Sequence, residues 1–107
     1  MIGIIGAMQI EVDNLLENIK NKVETTISGI KYTRGTINNK EVVVAKCGIG
    51  KVFAAICTQT MILKFNPKII INTGISGGIK NLDIGEVVIA DNVVQHDIDT
   101  SPLGDPK

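Results

Sequence analysis

The chain has 107 residues, enough for one small domain, with 44% hydrophobic and 21% charged positions, a balance usual in globular proteins. Eleven basic residues offset eleven acidic ones and only 3% are aromatic, so neither charge nor stacking surface favours nucleic acid or an anionic membrane. No apolar run reaches the roughly 20 residues of a membrane span, and the opening MIGIIGAMQIE lacks the basic start of a signal peptide.

Met1 to Ile5 reads as a short buried strand closed by Gly6. A helix is expected from about Met8 to Ile19, with an apolar stripe of Met8, Val12, Leu15, Leu16 and Ile19 at helical spacing. Glu11 sits at the edge of that stripe, in the first turn, where a helix N-terminus stabilises an anion. Such a carboxylate can hold and polarise water as a general base. Taken alone, the position fits a solvated first-turn glutamate better.

Two strand-like runs, Lys22 to Ser28 and Ile30 to Ile37, meet near Gly29. Asn38-Asn39 then makes a turn into the strand Glu41 to Ala45, giving an antiparallel meander. Gly48-Ile49-Gly50-Lys51 introduces a helix from about Val52 to Phe65. It is no Walker loop, because Ala45 stands at the required upstream glycine and Val52 follows the lysine. It is no dinucleotide fingerprint either, because Phe53 occupies the last glycine position. The spacing alone fits a tight strand-to-helix turn. The helix is apolar nearly all round, which implies burial on two sides, by its own sheet and by either the missing half or a subunit interface. Cys47 and Cys57, at a strand end and in this helix, are too few for a disulfide framework and read as buried thiols in a reducing cytoplasm.

Pro67 ends the helix, and Lys68 to Ile71 is a fully apolar strand running into Asn72 to Gly78, a second glycine cluster whose amides are free to donate. A turn at Leu82 to Gly85 leads to a strand from Glu86 to Val94, and a polar tail runs from Gln95 to Lys107. His96 with Asp97 and Asp99 reads as a structural hydrogen-bond cluster, and one histidine makes no metal-ligand set. The order of elements describes an α/β fold, a mixed central sheet flanked by helices, with Ile2–Ile5 and Ile69–Ile71 at the sheet centre. Three strand ends carry glycines: Gly6; Gly48 and Gly50; and Gly74, Gly77 and Gly78. Ligands in such folds sit at the carboxyl ends of the strands, so this convergence marks the expected site.

IGIIGAMQIEVDNL (Ile2 to Leu15) resembles the IGIIGAM-x-x-E-V opening of the 5′-methylthioadenosine/S-adenosylhomocysteine nucleosidases. CGIGKVFAA (Cys47 to Ala55), INTGISGGI (Ile71 to Ile79) and GEVVIADNVVQHDID (Gly85 to Asp99) are similar to three further blocks of that family, in the same order. The resemblance implies a nucleoside phosphorylase-like fold, seen here as an N-terminal half with its C-terminal half missing. The implied activity is hydrolysis of the N-glycosidic bond of methylthioadenosine and S-adenosylhomocysteine, in methionine salvage, without cofactor or metal. Glu11 would then activate the attacking water. Met8 and Ile49 would lie beside the ribose and the thio-substituent, and Ile75, Ser76 and Gly77 would line ribose and base. The resemblance also implies a cytoplasmic homodimer in which Thr100 and Leu103 reach into the neighbour's site. Ile75 stands where many members have serine and Ser76 where they have alanine. The family's leaving-group acid belongs to the other half of the sequence. Two alternatives stay open: a purine or uridine phosphorylase, which would need an arginine at the phosphate where this chain has only Arg34, and an inactive truncated binding module.

Overall fold

A computed structural model describes residues 1–74, 87, 89 and 90. In chain order the elements are β1 (Ile2–Gly6), α1 (Gln9–Asn18), β2 (Lys20–Ile27), β3 (Ile30–Ile37), β4 (Lys40–Lys46), α2 (Lys51–Phe65) and β5 (Ile69–Thr73). The chain divides into two units, Met1–Ser76 and Gly77–Lys107, and all these elements lie in the first.

The five strands form one sheet in the order β2-β3-β4-β1-β5. β2, β3 and β4 are the expected antiparallel meander, while β1 runs parallel to both β4 and β5. The two hairpin turns are tight because Ser28-Gly29 and Asn38-Asn39 all take positive φ, which matches the right-handed strand twist. β2 is polar and almost wholly exposed, with lysines along it, as suits an outer strand that must not pair with another chain. It begins at Lys20, earlier than its pattern suggests, because an irregularity between Lys20 and Val23 adds a pair with Thr36.

Side chains of β1 and β4 alternate between two cores. Ile4, Val42 and Val44 join Val12 and Ile19 of the α1 side, whereas Ile5, Val43 and Ala45 join Tyr32, Cys47, Cys57 and Met61 on the α2 side. The helices therefore cover opposite faces of the sheet. α2 crosses from β4 to β5 over β1, and Gly3 of β1 makes the room: a Cβ there would stand 2.5 Å from the Met61 sulfur. Asn66 in the left-handed conformation, its N–H on the Ile62 carbonyl, followed by Pro67, stops the helix where the sequence says it should.

Two expectations need correction. β1 does lie inside the sheet, but β5 is outermost among the described strands, with Ile69 and Ile71 59% and 47% exposed. A run of isoleucines reads the same whether its own sheet or another surface covers it. α2 buries Cys57 and Met61 on its sheet side, as expected, while Val52, Phe53, Ile56, Ile62 and Leu63 stay exposed among the described residues. Of the strand expected from Glu86 to Val94, the described Val87, Ile89 and Ala90 belong to no strand, since a β-prone run needs a pairing partner. The other residues of that run, the turn before it and the tail lie outside the described residues.

Candidate active site

β4, β1 and β5 end together. Gly6 is in register with Lys46 on one side and Thr73 on the other, so the chain leaves the sheet at Ala7, Cys47 and Gly74 on one rung. The Cys47 N–H donates to the Gly6 carbonyl at 2.9 Å, tying the β4 exit to the β1 exit. Beyond it Gly48 and Gly50 take φ of 93° and 103°, a region costly to any residue with a Cβ, and α2 starts. The glycine-marked strand ends of the sequence thus meet in space.

Glu11 turns toward this rung from the first turn of α1. Its Oε2 accepts the Ala7 N–H at 2.7 Å and the Met8 N–H at 3.1 Å, so one oxygen caps the helix that carries it. Gly6 and Gly74 stand against the same side chain. A Cβ built on Gly6 would lie 3.2 Å from Glu11 Cβ, and one on Gly74 would lie 3.4 Å from Oε1. The carboxylate is half-buried, fixed through Oε2, with Oε1 on the Gly74 side. A fixed carboxylate with one oxygen to spare can take a proton from a water held against it.

Cys47 lies beneath, 5% exposed, its thiol donating to the Gly48 carbonyl at 3.1 Å. Burial pushes that thiol's pKa up, and the nearby Glu11 carboxylate adds to the effect. Deeper still, Cys57 is raised by burial, and Tyr32, whose hydroxyl donates to the Cys57 carbonyl at 3.2 Å, is pushed up to about 12, chiefly by burial. The floor of the site is therefore neutral, and Glu11 is the carboxylate at the rung.

Residues 1–107 match the phosphorylase superfamily along their whole length. The chain belongs to that superfamily. This superfamily chain is 48% identical over 105 residues to the 5′-methylthioadenosine/S-adenosylhomocysteine nucleosidase of Staphylococcus haemolyticus, covering 97% of itself and 46% of that protein. Among solved structures it is similar to the Neisseria meningitidis nucleosidase of the same name in complex with methylthio-immucillin-A (TM-score 0.93, 36% identity, 96% of this chain and 45% of that one). The Colwellia psychrerythraea nucleosidase in complex with adenine matches as closely (TM-score 0.93, 36% identity, 96% and 43%). The superfamily chain thus spans about half the length of the curated relatives it matches.

Of the residues singled out in the sequence, Glu11, Met8 and Ile49 lie at the shared strand ends. Met8 is the N-cap residue beside Glu11, 37% exposed, and Ile49 is 73% exposed on the β4–α2 loop. Ile75, Ser76, Gly77, Thr100 and Leu103 lie outside the described residues, as do His96, Asp97 and Asp99. Arg34 lies mid-strand opposite Val43, three residues before the Lys46 end of β4, and its Nε donates to Glu41 Oε1 at 2.8 Å, farther still from the glycine rung. Sequence reasoning passed over two neighbours of Glu11. In the sequence Cys47 reads only as a thiol and Gly74 only as one of a glycine cluster. The signal that finds both is the register Gly6↔Lys46 and Gly6↔Thr73, which no local pattern carries.

Proposed function

We propose that this chain supplies the water-activating part of a nucleosidase that hydrolyses the N-glycosidic bond of 5′-methylthioadenosine and S-adenosylhomocysteine. The reading rests on one observation: Glu11 is tied through Oε2 to two backbone N–H groups and keeps Oε1 at the rung where three parallel strands end. Its support is the naming of the relatives as nucleosidases, two of them holding adenine or methylthio-immucillin-A.

In this mechanism water attacks the ribose C1′ as the bond to the purine nitrogen breaks, through an oxocarbenium-like state. Glu11 takes the proton that the water loses, and the departing base takes a proton from an acid outside these residues. Met8 and Ile49 lie against the ribose and thio-substituent, and Ile75, Ser76 and Gly77 line ribose and base. The enzyme is a cytoplasmic homodimer in which Thr100 and Leu103 complete the neighbour's pocket, and residues 1–107 are part of one nucleosidase domain. No cofactor or metal enters the reaction.

A phosphate-dependent reaction of the same bond is the sharpest alternative outcome. Arg34, already paired with Glu41, gives it no support. The intact protein, incubated with methylthioadenosine in phosphate-free buffer, is expected to release adenine and free methylthioribose. Release that appears only when inorganic phosphate is added, with a sugar 1-phosphate as product, would overturn the hydrolytic reading.

A further inference from the structure

Two glycines touch the Glu11 side chain, and only one of them is explained by packing. Gly6 has no room for more: a Cβ there would stand 2.7 Å from Val12 Cγ1, inside the contact that holds α1 to the sheet. Gly74 is different in each respect that makes a glycine necessary for a fold. Its φ lies outside the left-handed region, unlike those of Gly29, Gly48 and Gly50, so its backbone suits an L residue. It is exposed, and among the described residues a Cβ there would meet nothing closer than 3.4 Å, an ordinary contact.

Among the described residues, the three atoms nearest to such a Cβ all belong to the Glu11 carboxyl. The Cβ would lie 3.4 Å from Oε1, 3.6 Å from Cδ and 3.6 Å from Oε2. Near-equal distances to all three atoms place the methyl obliquely over the face of the carboxylate rather than against one atom. A water bound to Oε1 needs an approach to about 2.5–2.8 Å, and a methyl group seated over the carboxyl crowds the side of Oε1 that faces Gly74.

We infer that Gly74 is a positioning residue for the reaction: its missing side chain keeps open the face of the Glu11 carboxylate on which the attacking water is held. This rests on Glu11 being the base. Because Oε2 is committed to the Ala7 and Met8 N–H groups, Oε1 is, among the described residues, the oxygen left to orient the water, and it is the one nearest Gly74. The φ at this position is open to alanine, so the case for glycine here is the space in front of the carboxylate.

The test is Gly74→Ala in the intact protein, assayed beside Glu11→Gln. Gly74→Ala is expected to keep its far-ultraviolet circular dichroism and its melting temperature, and to bind adenine as the unsubstituted protein does. Its turnover of methylthioadenosine should fall by about 10²-fold, the lower end of what a positioned general base contributes, with KM little changed. An unfolded Gly74→Ala protein overturns the inference, because the methyl must be accommodated. So does a parallel loss of adenine affinity, which would make Gly74 a binding residue. Full turnover in Gly74→Ala with none in Glu11→Gln refutes the role of Gly74 alone. Full turnover in Glu11→Gln removes the base itself, and the inference falls with it.

Discussion

Tyr32, Cys47 and Cys57 lie buried beneath the rung, and burial keeps all three protonated beyond their ordinary range. Their pKa values are raised in the folded chain, so the stability they lend is fully present below the unfolded thiol value of about 9.0. It is lost as the pH climbs through the folded values, reaching about 12 for Tyr32 against 10.0 unfolded. Melting temperatures followed from neutral pH into alkali should therefore fall above pH 9.0, and Tyr32→Phe should flatten the part of that fall above pH 10.0. The same substitution removes the hydroxyl bond to the Cys57 carbonyl and should cost about 0.5–1.5 kcal/mol near neutrality. An alkaline slope identical in both proteins would mean that the phenol ionises as easily folded as unfolded. At this scale the sequence says where Glu11 stands on its helix, but not which oxygen caps that helix. That depends on the N–H groups of Ala7 and Met8, whose direction is set by how β1 turns into α1.

Element boundaries were legible because local chemistry writes them. Asn38-Asn39, Pro67 and the stripe of Val12 and Ile19 each act within a few residues, and the strands and helices begin and end close to where those signals lie. What covers an element was not legible, as α2 shows. Its composition demands burial all round, yet only Cys57 and Met61 are enclosed, while Ile56 is 45% exposed. The two faces give opposite expectations. Met61→Ala should cost about 2–5 kcal/mol, since it empties space against Gly3 and the α2-side core. Ile56→Glu should leave the fold intact by circular dichroism, and, if the exposed face meets a second copy, should convert a dimer to a folded monomer in light scattering. Loss of fold in Ile56→Glu would place that face in a core rather than an interface.

For the whole molecule, the strongest sequence clue was the repetition of glycine at three strand ends, and its meaning came from topology. Gly6, Cys47 and Gly74 are distant in sequence and become neighbours because β1 is inserted between β4 and β5 with all three parallel. The same arrangement sends α1 and its Glu11 over the end of the sheet, where the rung, the helix N-terminus and the free carboxylate oxygen meet. Among solved relatives, chains of the phosphorylase superfamily with nucleoside analogues or adenine bound share this fold with TM-scores of 0.93. The central claim is that this convergence exists to activate water. Its most direct test is steady-state turnover of methylthioadenosine by the intact protein carrying Glu11→Gln, with KM measured alongside. The amide keeps the size of the side chain and an oxygen for the Ala7 and Met8 N–H groups but cannot take a proton. The expected result is a fall in kcat of at least about 10²-fold with KM nearly unchanged; turnover equal to that of the unsubstituted protein would contradict it.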